Sequence, residues 1–246
     1  MSDALPPPVL PFRRGAGRQA VTLARDIIIM ALAAAILSSV VTHAVLRTYR
    51  VPSGSMQHTL EEGDRIWVWL PATIRRGDVV VFRDDLDWLQ EPLAPLNWQD
   101  SLFGFFGFPT ANPYRYLVKR LIGLPGDRVQ RRAGQLVVNG YTVTEPYVYN
   151  SPEHPPAESD FDLVVPRGRA FVLGDHRNDS ADSLYHLCAE GPSAAFVPLD
   201  VIVGSVAIVG PPYSRLGPLD AAPDWADVPR PAVAAPSAAV VTSACQ

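Results

Sequence analysis

A run of twenty consecutive uncharged residues constrains this chain more than any other feature, because residues 27–46 read IIIMALAAAILSSVVTHAVL. As a helix this run would be about 30 Å long, which is the thickness of a bilayer's hydrocarbon core. A cleaved signal peptide would have a shorter apolar stretch and a small-residue cleavage site, whereas Arg47-Thr48-Tyr49-Arg50 follows here. A buried core helix is the remaining alternative. We expect a retained transmembrane anchor and place it at residues 21–47.

The basic residues on either side of the run indicate its orientation. Four arginines precede the run and two follow it, namely Arg13, Arg14, Arg18 and Arg25, and then Arg47 and Arg50. The cytoplasmic flank of a membrane helix carries the excess of positive charge. We therefore expect the N-terminus in the cytoplasm, a single pass across the cell membrane, and the rest of the chain outside the cytoplasm.

Composition excludes several classes of protein. The formal net charge is −4 and the isoelectric point is near 5.7, whereas a general nucleic-acid binder carries a basic face, so no nucleic-acid partner is expected. Cys188 and Cys245 are too few for a disulfide scaffold, and the sequence leaves open whether they pair. No metal, nucleotide or haem motif is found in the sequence, and we expect no cofactor.

Beyond the anchor, short apolar runs are separated by glycine and proline, which is typical of β-strands joined by turns. Strands are predicted at residues 65–70, 78–82, 116–122, 170–173 and 201–209, and a hairpin at residues 135–143. Asn139-Gly140 is the strongest short-range signal for the hairpin's turn. The predicted fold class is mainly β, with a single N-terminal transmembrane helix followed by an extracytoplasmic antiparallel β-sheet domain over residues 48–210.

Three segments depart from this pattern. Residues 1–20 are rich in proline and arginine and are predicted to be a disordered cytoplasmic N-terminus. Residues 84–113 form an insert with six aromatic side chains, which either dips into the membrane interface or covers a small satellite core. Residues 211–246 are rich in proline and alanine and are predicted to be a flexible tail, dispensable for activity. The aromatic residues of the insert are Trp88, Trp98, Phe103, Phe105, Phe106 and Phe108.

Four short motifs carry the chemistry of the chain. They are VPSGSMQHTL at residues 51–60, GDVVVF at 77–82, KRLIGLPGD at 119–127 and GDHRNDSADS at 174–183. Taken singly they indicate little, since Ser-Gly-Ser is common in turns and a lone strand lysine is commonly an exposed edge residue. In this order they closely resemble the conserved boxes of type I signal peptidases (leader peptidases), and the resemblance runs from the anchor to about Val209.

The resemblance implies a membrane-bound serine endopeptidase that cleaves N-terminal signal peptides from exported preproteins after small residues, at Ala-X-Ala sites. Preproteins and the lipid bilayer are the implied partners, and residues 48–210 would be the catalytic domain. By motif position, the resemblance implies that Ser55 is the nucleophile and Lys119 the general base. The Ser53 hydroxyl and the Ser55 N–H would stabilise the oxyanion. Ser180 would orient the lysine, Asp182 would support the site, and Met56 and Val118 would line the substrate pocket.

The proposed base must be neutral before it can accept a proton. Lowering a lysine pKa from ~10.4 to ~7 requires roughly 4.6 kcal/mol of differential stabilisation. Burial among apolar neighbours can supply it, and the residues around Lys119 include Leu117, Val118, Leu121 and Ile122. Because side chains alternate along a strand, Arg120 is expected on the opposite face with its charge in water.

Other kinds of site remain alternatives to the Ser/Lys pair. The residues Asp175, Asn178, Asp179 and Asp182 suggest a calcium-like loop, although the glycine and final glutamate of an EF-hand are missing. The residues His176, His186 and Cys188 suggest zinc, although their spacing matches no standard site. A Ser-His-Asp triad could use His58 or His176 with Asp182, since geometry and not sequence order defines a triad.

The sequence departs from the family pattern at two positions. His58 stands where proline is frequent, and Leu184 stands where an arginine usually follows Asp-Ser, so a partner for the Asp182 region is lost. Two other functions compete with signal-peptide cleavage: a self-cleaving regulator with a Ser/Lys pair, and a non-catalytic anchored surface domain. A bilayer span in place of a DNA-binding domain argues against the first, and the presence of both Ser55 and Lys119 argues against the second.

Overall fold

The computed structural model describes residues 16–70, 73–89, 115–149, 160–210, 215–219 and 225–245. Within these residues the chain forms one long N-terminal helix and two antiparallel β-sheets, with short helices between strands. The predicted fold class, mainly β with one apolar N-terminal helix, is confirmed.

The N-terminal helix α1 spans Ala16–Ala44. Within the described residues it alone is long and apolar enough to cross a membrane, over Gln19–Ser39, and none of that stretch is buried. A core helix would be covered by its own protein, so this exposure excludes the buried-helix alternative. The helix begins within residues 16–20, which were expected to be disordered, and it ends before residue 46, where a strand begins.

The strands, in chain order, are β1 (Leu46–Arg50), β2 (Arg65–Trp69), β3 (Val79–Arg83), β4 (Tyr116–Gly123), β5 (Arg128–Arg132), β6 (Gln135–Val138), β7 (Tyr141–Val143), β8 (Phe161–Val164), β9 (Arg169–Leu173), β10 (Val197–Pro198), β11 (Ile202–Val209), β12 (Gly217–Pro218) and β13 (Val240–Ser243). Two short helices follow β9: α2 (Ser183–Ala189) and α3 (Pro192–Ala195).

The larger sheet has the strand order β1-β2-β11-β3-β4-β9-β10, with β12 paired to β11. All of its neighbours are antiparallel, as predicted. Strand β4 lies near the middle, where Lys119 pairs with Val80 of β3 and Arg120 pairs with Leu173 of β9. The lysine motif and the residues that follow β9 are therefore neighbours in the fold.

The smaller sheet has the order β13-β8-β5-β6-β7 and is also antiparallel. Strands β6 and β7 form the predicted hairpin, and Asn139 and Gly140 adopt φ angles of 53° and 83° at its turn. Apolar residues from both sheets, among them Phe161 and Phe171, share one buried cluster. This shared core holds the smaller sheet against the larger one.

The C-terminal region corrects one prediction, because residues 225–245 are not a flexible tail. Trp225 and Val228 are each only 6% exposed and belong to the shared core. Strand β13 pairs with β8, and Cys245 forms a disulfide with Cys188 of α2. The Pro/Ala-rich composition was misleading because a few well-placed apolar residues and one disulfide suffice to dock this segment.

The described start of the aromatic insert also differs from the membrane-interface prediction. Trp88 is 7% exposed, lies edge-on to Phe82, stacks on His186, and donates from Nε1 to the Ala194 carbonyl. This side chain belongs to a satellite core beneath the loop, which was the other alternative. Residues 90–113, with the remaining aromatic side chains of the insert, lie outside the described residues.

Candidate active site

Ser55 lies in a single 3₁₀ turn, Gly54–Met56, a few residues after β1. The turn is closed by backbone hydrogen bonds from Gln57 N to Gly54 O at 2.9 Å and from Leu60 N to Met56 O at 2.8 Å. Met56 and Leu60 are fully buried and anchor the turn in the core, while Ser55 itself is 8% exposed. A Cβ at Gly54 would have only the Gln57 side chain within 4 Å, at 3.7 Å, so the Gly54 face of the turn is open to an approaching backbone.

The hydroxyls of Ser53 and Ser55 lie next to each other. Ser53 is exposed in extended backbone, and its Oγ donates to the Ser55 Oγ over 3.3 Å. That distance is long for a hydroxyl pair, so both groups can rotate toward another partner at little cost. The structure thus brings together the two serines that the motif assigns to nucleophile and oxyanion donor.

Lys119 is almost completely buried, with 2% of its surface exposed, at the centre of β4. Strand β4 packs against the Ser55 turn. Burial lowers the pKa of Lys119 to about 8, because the charged form loses its hydration. The carboxylates of Asp182, Asp175 and Asp179 oppose this effect and keep the pKa from falling further.

The loop after β9 closes over the Ser55 turn. Gly174 has no room for a side chain, since a Cβ there would lie 2.3 Å from the Ser180 Oγ and 2.6 Å from the Ser55 carbonyl oxygen. The His176 N–H also donates to the Ser55 carbonyl, at 3.1 Å. The Ser180 hydroxyl is buried and has no hydrogen-bond partner among the described residues. Glycine at 174 is therefore what lets Ser180 and Ser55 approach the same point.

Asp182 terminates this loop and begins helix α2. Its carboxylate accepts hydrogen bonds from the backbone N–H groups of Leu184 at 3.0 Å, Tyr185 at 3.4 Å and Gly174 at 2.9 Å. Leu184, which stands where an arginine was expected from the resemblance, packs against the shared core. Backbone donors at a helix N-terminus thus take the place of a side-chain partner for the Asp182 charge.

The prediction for Arg120 is wrong, because its charge is buried and not in water. Arg120 is 3% exposed and pairs with Asp175 through two hydrogen bonds of 2.8 and 2.6 Å. It also donates to the Gly77 carbonyl at 2.7 Å, and its guanidinium lies 3.7 Å from the centroid of the Tyr147 ring. Alternation does place it on the other strand face, but loops cover that face, and Asp175 compensates the charge.

Asp175 and Arg215 hold Thr59, just after the Ser55 turn, and neither role was predicted from the sequence. Thr59 donates from Oγ1 to the Asp175 carboxylate at 2.5 Å. Arg215 donates to the Thr59 carbonyl at 3.0 Å and forms an ion pair with Asp64 at 3.0 Å. The sequence did contain a signal for Asp175, because this aspartate comes two residues after a predicted strand and a charge there needs a partner. It contained none for Arg215, because the residue lies in the segment interpreted as a tail.

The alternative histidine triad finds no support in this geometry. His58 is exposed, and its Nδ1 lies 3.2 Å from the Tyr147 carbonyl oxygen. His176 is buried with its ring edge-on to Tyr149 and its Nδ1 3.9 Å from Asp179. Asp182, which the triad needs beside a histidine, bonds to backbone N–H groups instead.

The two metal alternatives conflict with the contacts of their own residues. Cys188 is in a disulfide and supplies no thiolate for zinc. Asp175 is engaged by Arg120, and Asp182 by backbone N–H groups, so neither presents free oxygens to calcium. Within the described residues no group of three or more potential metal ligands occurs.

Met56 and Val118, the predicted pocket residues, lie in one buried apolar cluster. They are 1% and 5% exposed, and the cluster also contains Val51, Leu60 and Val81. Met56 directly follows Ser55, and Val118 directly precedes Lys119. The apolar wall that they form is therefore built from the residues next in sequence to Ser55 and Lys119.

Comparison with known proteins gives a consistent family. A family model described as "Signal peptidase, peptidase S26" matches residues 24–210. Signal peptidase I of Mycobacterium tuberculosis is 34% identical over 221 residues, covering 78% of this chain and 74% of the relative. Signal peptidase I T of Bacillus subtilis is 30% identical over 195 residues, covering 74% and 83%. The crystal structure of a signal peptidase I from Enterococcus faecalis shows 25% identity and a TM-score of 0.34, covering 55% of this chain and 97% of that one.

Proposed function

Because the chain belongs to the signal peptidase family, peptidase S26, we propose that Ser55 and Lys119 are the Ser/Lys dyad with which this membrane-associated serine endopeptidase cleaves signal peptides from preproteins. The observation that carries the proposal is a lysine that is 2% exposed, with its pKa lowered to about 8, on the strand that packs against the Ser55 turn. A buried amine near neutrality is what a general base needs, and a surface lysine does not provide it.

In the proposed reaction, neutral Lys119 takes the proton of the Ser55 hydroxyl as the oxygen attacks the scissile carbonyl carbon. The C–N bond of the resulting tetrahedral intermediate breaks, and the proton passes to the leaving amine. A water molecule, deprotonated by Lys119, then hydrolyses the acyl-enzyme and regenerates Ser55. The Ser55 N–H and the Ser53 hydroxyl would stabilise the oxyanion, since Ser53 is exposed and only weakly bonded to Ser55.

Ser180 and Asp182 are proposed to hold the base in place. The buried Ser180 hydroxyl has no partner among the described residues and can therefore bond to the Lys119 amine. Asp182 contributes its charge, which raises the lysine pKa, and fixes the loop through its bonds to Gly174 and α2. The balance between burial and these carboxylates keeps the base titrating near physiological pH.

We further propose cleavage after small residues, at Ala-X-Ala sites. Met56 and Val118 form a packed apolar wall next in sequence to the two reacting groups, and we expect a small substrate side chain to lie against it. The open face at Gly54 admits the backbone of an extended substrate. Large residues at positions −1 and −3 would meet the wall, whereas alanine fits against it.

The enzyme is proposed to be a single-pass protein of a bacterial cell membrane, with a cytoplasmic N-terminus and an extracytoplasmic catalytic domain. The arginine bias around α1 supports this orientation, and so does the Cys188–Cys245 disulfide, because disulfides persist outside the cytoplasm. Residues 45–54 link the end of α1 to Ser55 and are at most ~36 Å long, so the site lies close to the lipid bilayer. The catalytic domain proposed at 48–210 is completed by residues 225–245, which share its core.

The test uses the detergent-solubilised full chain and a preprotein with an Ala-X-Ala site. Ser55→Ala, Lys119→Met and Lys119→Arg are expected to abolish cleavage, since arginine stays protonated and methionine keeps the apolar stem without a base. His58→Ala and His176→Ala are expected to remain active. Circular dichroism verifies that each variant is folded. Cleavage by folded Lys119→Met, or its loss in the histidine variants, would overturn the dyad in favour of a histidine triad.

A further inference from the structure

The family match ends at residue 210, yet the chain beyond it is built into the body of the enzyme. We call residues 225–245 the C-terminal segment. The Pro229 carbonyl accepts from Asn139 at 2.8 Å, and the Pro236 carbonyl accepts from the Arg167 N–H at 2.8 Å. Further along, β13 pairs with β8, and the disulfide joins Cys245 to α2. The segment is therefore held along its length.

The first buried residue of this segment, Trp225, lies directly on Gly77. A Cβ at Gly77 would lie 2.4 Å from the indole Cδ1 and 2.5 Å from Cγ, so the ring covers the Cα with no intervening side chain. Gly77 has φ +86°, which also favours glycine. Trp225 is 6% exposed, which means that the contact is made inside the protein.

Gly77 is in turn bonded to β4 immediately after Lys119. Its N–H donates to the Leu121 carbonyl at 2.7 Å, and its carbonyl accepts from the Arg120 guanidinium at 2.7 Å. The next two residues of the strand are thus tied to the glycine on which Trp225 rests. A shift of Gly77 would be transmitted to the backbone and the charge beside the base.

Arg120 carries this connection on to the serine side of the site. Its guanidinium binds both oxygens of Asp175, and Asp175 accepts from Thr59 just after the Ser55 turn. All members of this chain are buried or half-buried, so their bonds are not exchanged readily for bonds to water. Strand β4 and the Ser55 turn therefore share one anchor point, which Trp225 covers.

We propose that Trp225 is a positioning residue of the catalytic site, acting through Gly77 and Arg120 on the relative placement of Lys119 and the Ser55 turn. This inference rests on the proposed Ser/Lys function. It assigns the C-terminal segment a role in catalysis, in addition to closing the core. Small displacements of reacting groups are costly, since about 1 Å can reduce a rate ~100-fold.

The electrostatics around Lys119 give the proposal a signature that loss of stability alone would not produce. The charged groups that face the lysine are Asp182, Asp175 and Asp179, while Arg120 neutralises Asp175 from the other side. If Arg120 withdraws, the uncompensated Asp175 raises the lysine pKa, and water entering the site raises it further. His176, also buried beside the Ser55 turn, keeps its own contacts with Tyr149 and Asp179. The acidic limb of kcat should therefore move to higher pH.

The experiment compares Trp225→Leu and Trp225→Phe with a matched control, Val228→Ala, in the full-length enzyme acting on an Ala-X-Ala preprotein. Val228 is also buried in the C-terminal segment, but the three atoms nearest to a Cβ at Gly77 all belong to Trp225. For Trp225→Leu we expect kcat to fall ~10-fold with KM nearly unchanged, and the half-maximal pH to rise by ~0.5. Trp225→Phe keeps a flat ring and should show a smaller change in the same direction.

Equal kcat and equal pH profiles for Trp225→Leu and Val228→Ala would overturn the proposal, since the segment would then act through stability alone. If Trp225→Leu does not fold, a Trp225→Phe profile that coincides with that of Val228→Ala has the same consequence. Failure of the underlying function is distinguished by Lys119→Met: cleavage by that variant would refute the dyad, whatever the result at Trp225.

Discussion

At Lys119 the chain places an amine in a site that is 2% exposed, against the preference of the charged group for water. The folded-state pKa of about 8 lies below the ordinary lysine value of 10.5. At neutral pH the protonated lysine is thus tolerated at a cost to folding. The difference between those two pKa values is equivalent to about 3 kcal/mol of lost folding free energy.

The first prediction is that Lys119→Met increases stability while it removes activity. Because the folded state has the lower lysine pKa, the unfolded chain binds more protons between pH 8 and 10.5, and the wild-type enzyme gains stability as the pH rises through that window. Denaturant unfolding at pH 7 should show Lys119→Met to be more stable by up to ~3 kcal/mol, with the difference shrinking toward pH 10.5. A difference that does not depend on pH would contradict the buried-charge account.

The second prediction concerns His58, which adopts φ +82° where the family frequently has proline. Proline is restricted to φ near −65°, so His58→Pro cannot keep this backbone and should lose more than ~1 kcal/mol together with part of the activity. His58→Gly should gain ~0.5–1 kcal/mol and remain active, because glycine adopts positive φ without strain. The measurement is the unfolding midpoint of each variant relative to the wild type. Two variants as stable as the wild type would refute backbone strain at His58.

How far the sequence alone predicts the site depends on the residue. The motifs named Ser55, Lys119 and the loop with Ser180 and Asp182, and the structure places their segments side by side. Arg120 could not be predicted, because strand alternation says which face a side chain takes but not which loops cover that face. The Asp175 partner comes from a different motif, 55 residues away in sequence.

Helix α2 fixes the Asp182 carboxylate at the end of the loop that covers Ser55. Asp182 is its N-cap, with extended backbone at φ −131° and bonds to two N–H groups of the first turn. The same carboxylate holds Gly174, so the helix start and the loop over Ser55 are fixed by one side chain. Seven residues would not form a stable helix alone, so this cap and the core contacts of Leu184 and Leu187 support it.

The third prediction is that Asp182→Ala lowers stability and activity together. Loss of a cap typically costs ~1 kcal/mol, and the buried Gly174 N–H would also lose its acceptor, for a total of ~2–3 kcal/mol. Thermal unfolding and the cleavage rate measure the two effects. A useful control is Asp179→Ala, since Asp179 is 74% exposed and has no role in capping. Asp182→Ala as stable as this control would show that the cap contributes nothing.

Elements were predictable where their signals are local. The Asn139-Gly140 hairpin and the alternating strand β2 follow from turn chemistry and residue period. Strand β1 was missed because Leu46 continues the apolar run of the anchor, and β5 because RVQRR contains three arginines, one of them buried. Strand β13 depends on pairing with β8, which no local pattern reveals.

In the whole molecule, one exposed apolar helix leads into a two-sheet body whose last strand is fastened by a disulfide. The proposed active site lies where the larger sheet and the loop after β9 meet, and residues from beyond position 210 pack nearby. Ending the chain at residue 213 would remove Trp225 and Val228 from the shared core. We therefore expect residues 225–245 to be needed for a stable fold, contrary to the expectation that the tail is dispensable.

The fourth prediction follows from the closure of this body by Cys188 and Cys245, which are 57 residues apart in sequence. A cross-link over a loop of that length restricts the unfolded chain by about 4 kcal/mol in the chain-entropy model. Reduction, or the double change Cys188→Ser with Cys245→Ser, should lower the free energy of unfolding by up to that amount. Denaturant unfolding with and without reductant measures it, and the double variant should not respond to reductant. Because β13 is also held by its pairing with β8, we expect the reduced enzyme to stay folded at low temperature. A reduced wild type as stable as the oxidised one would mean that the bond does not form in the native protein.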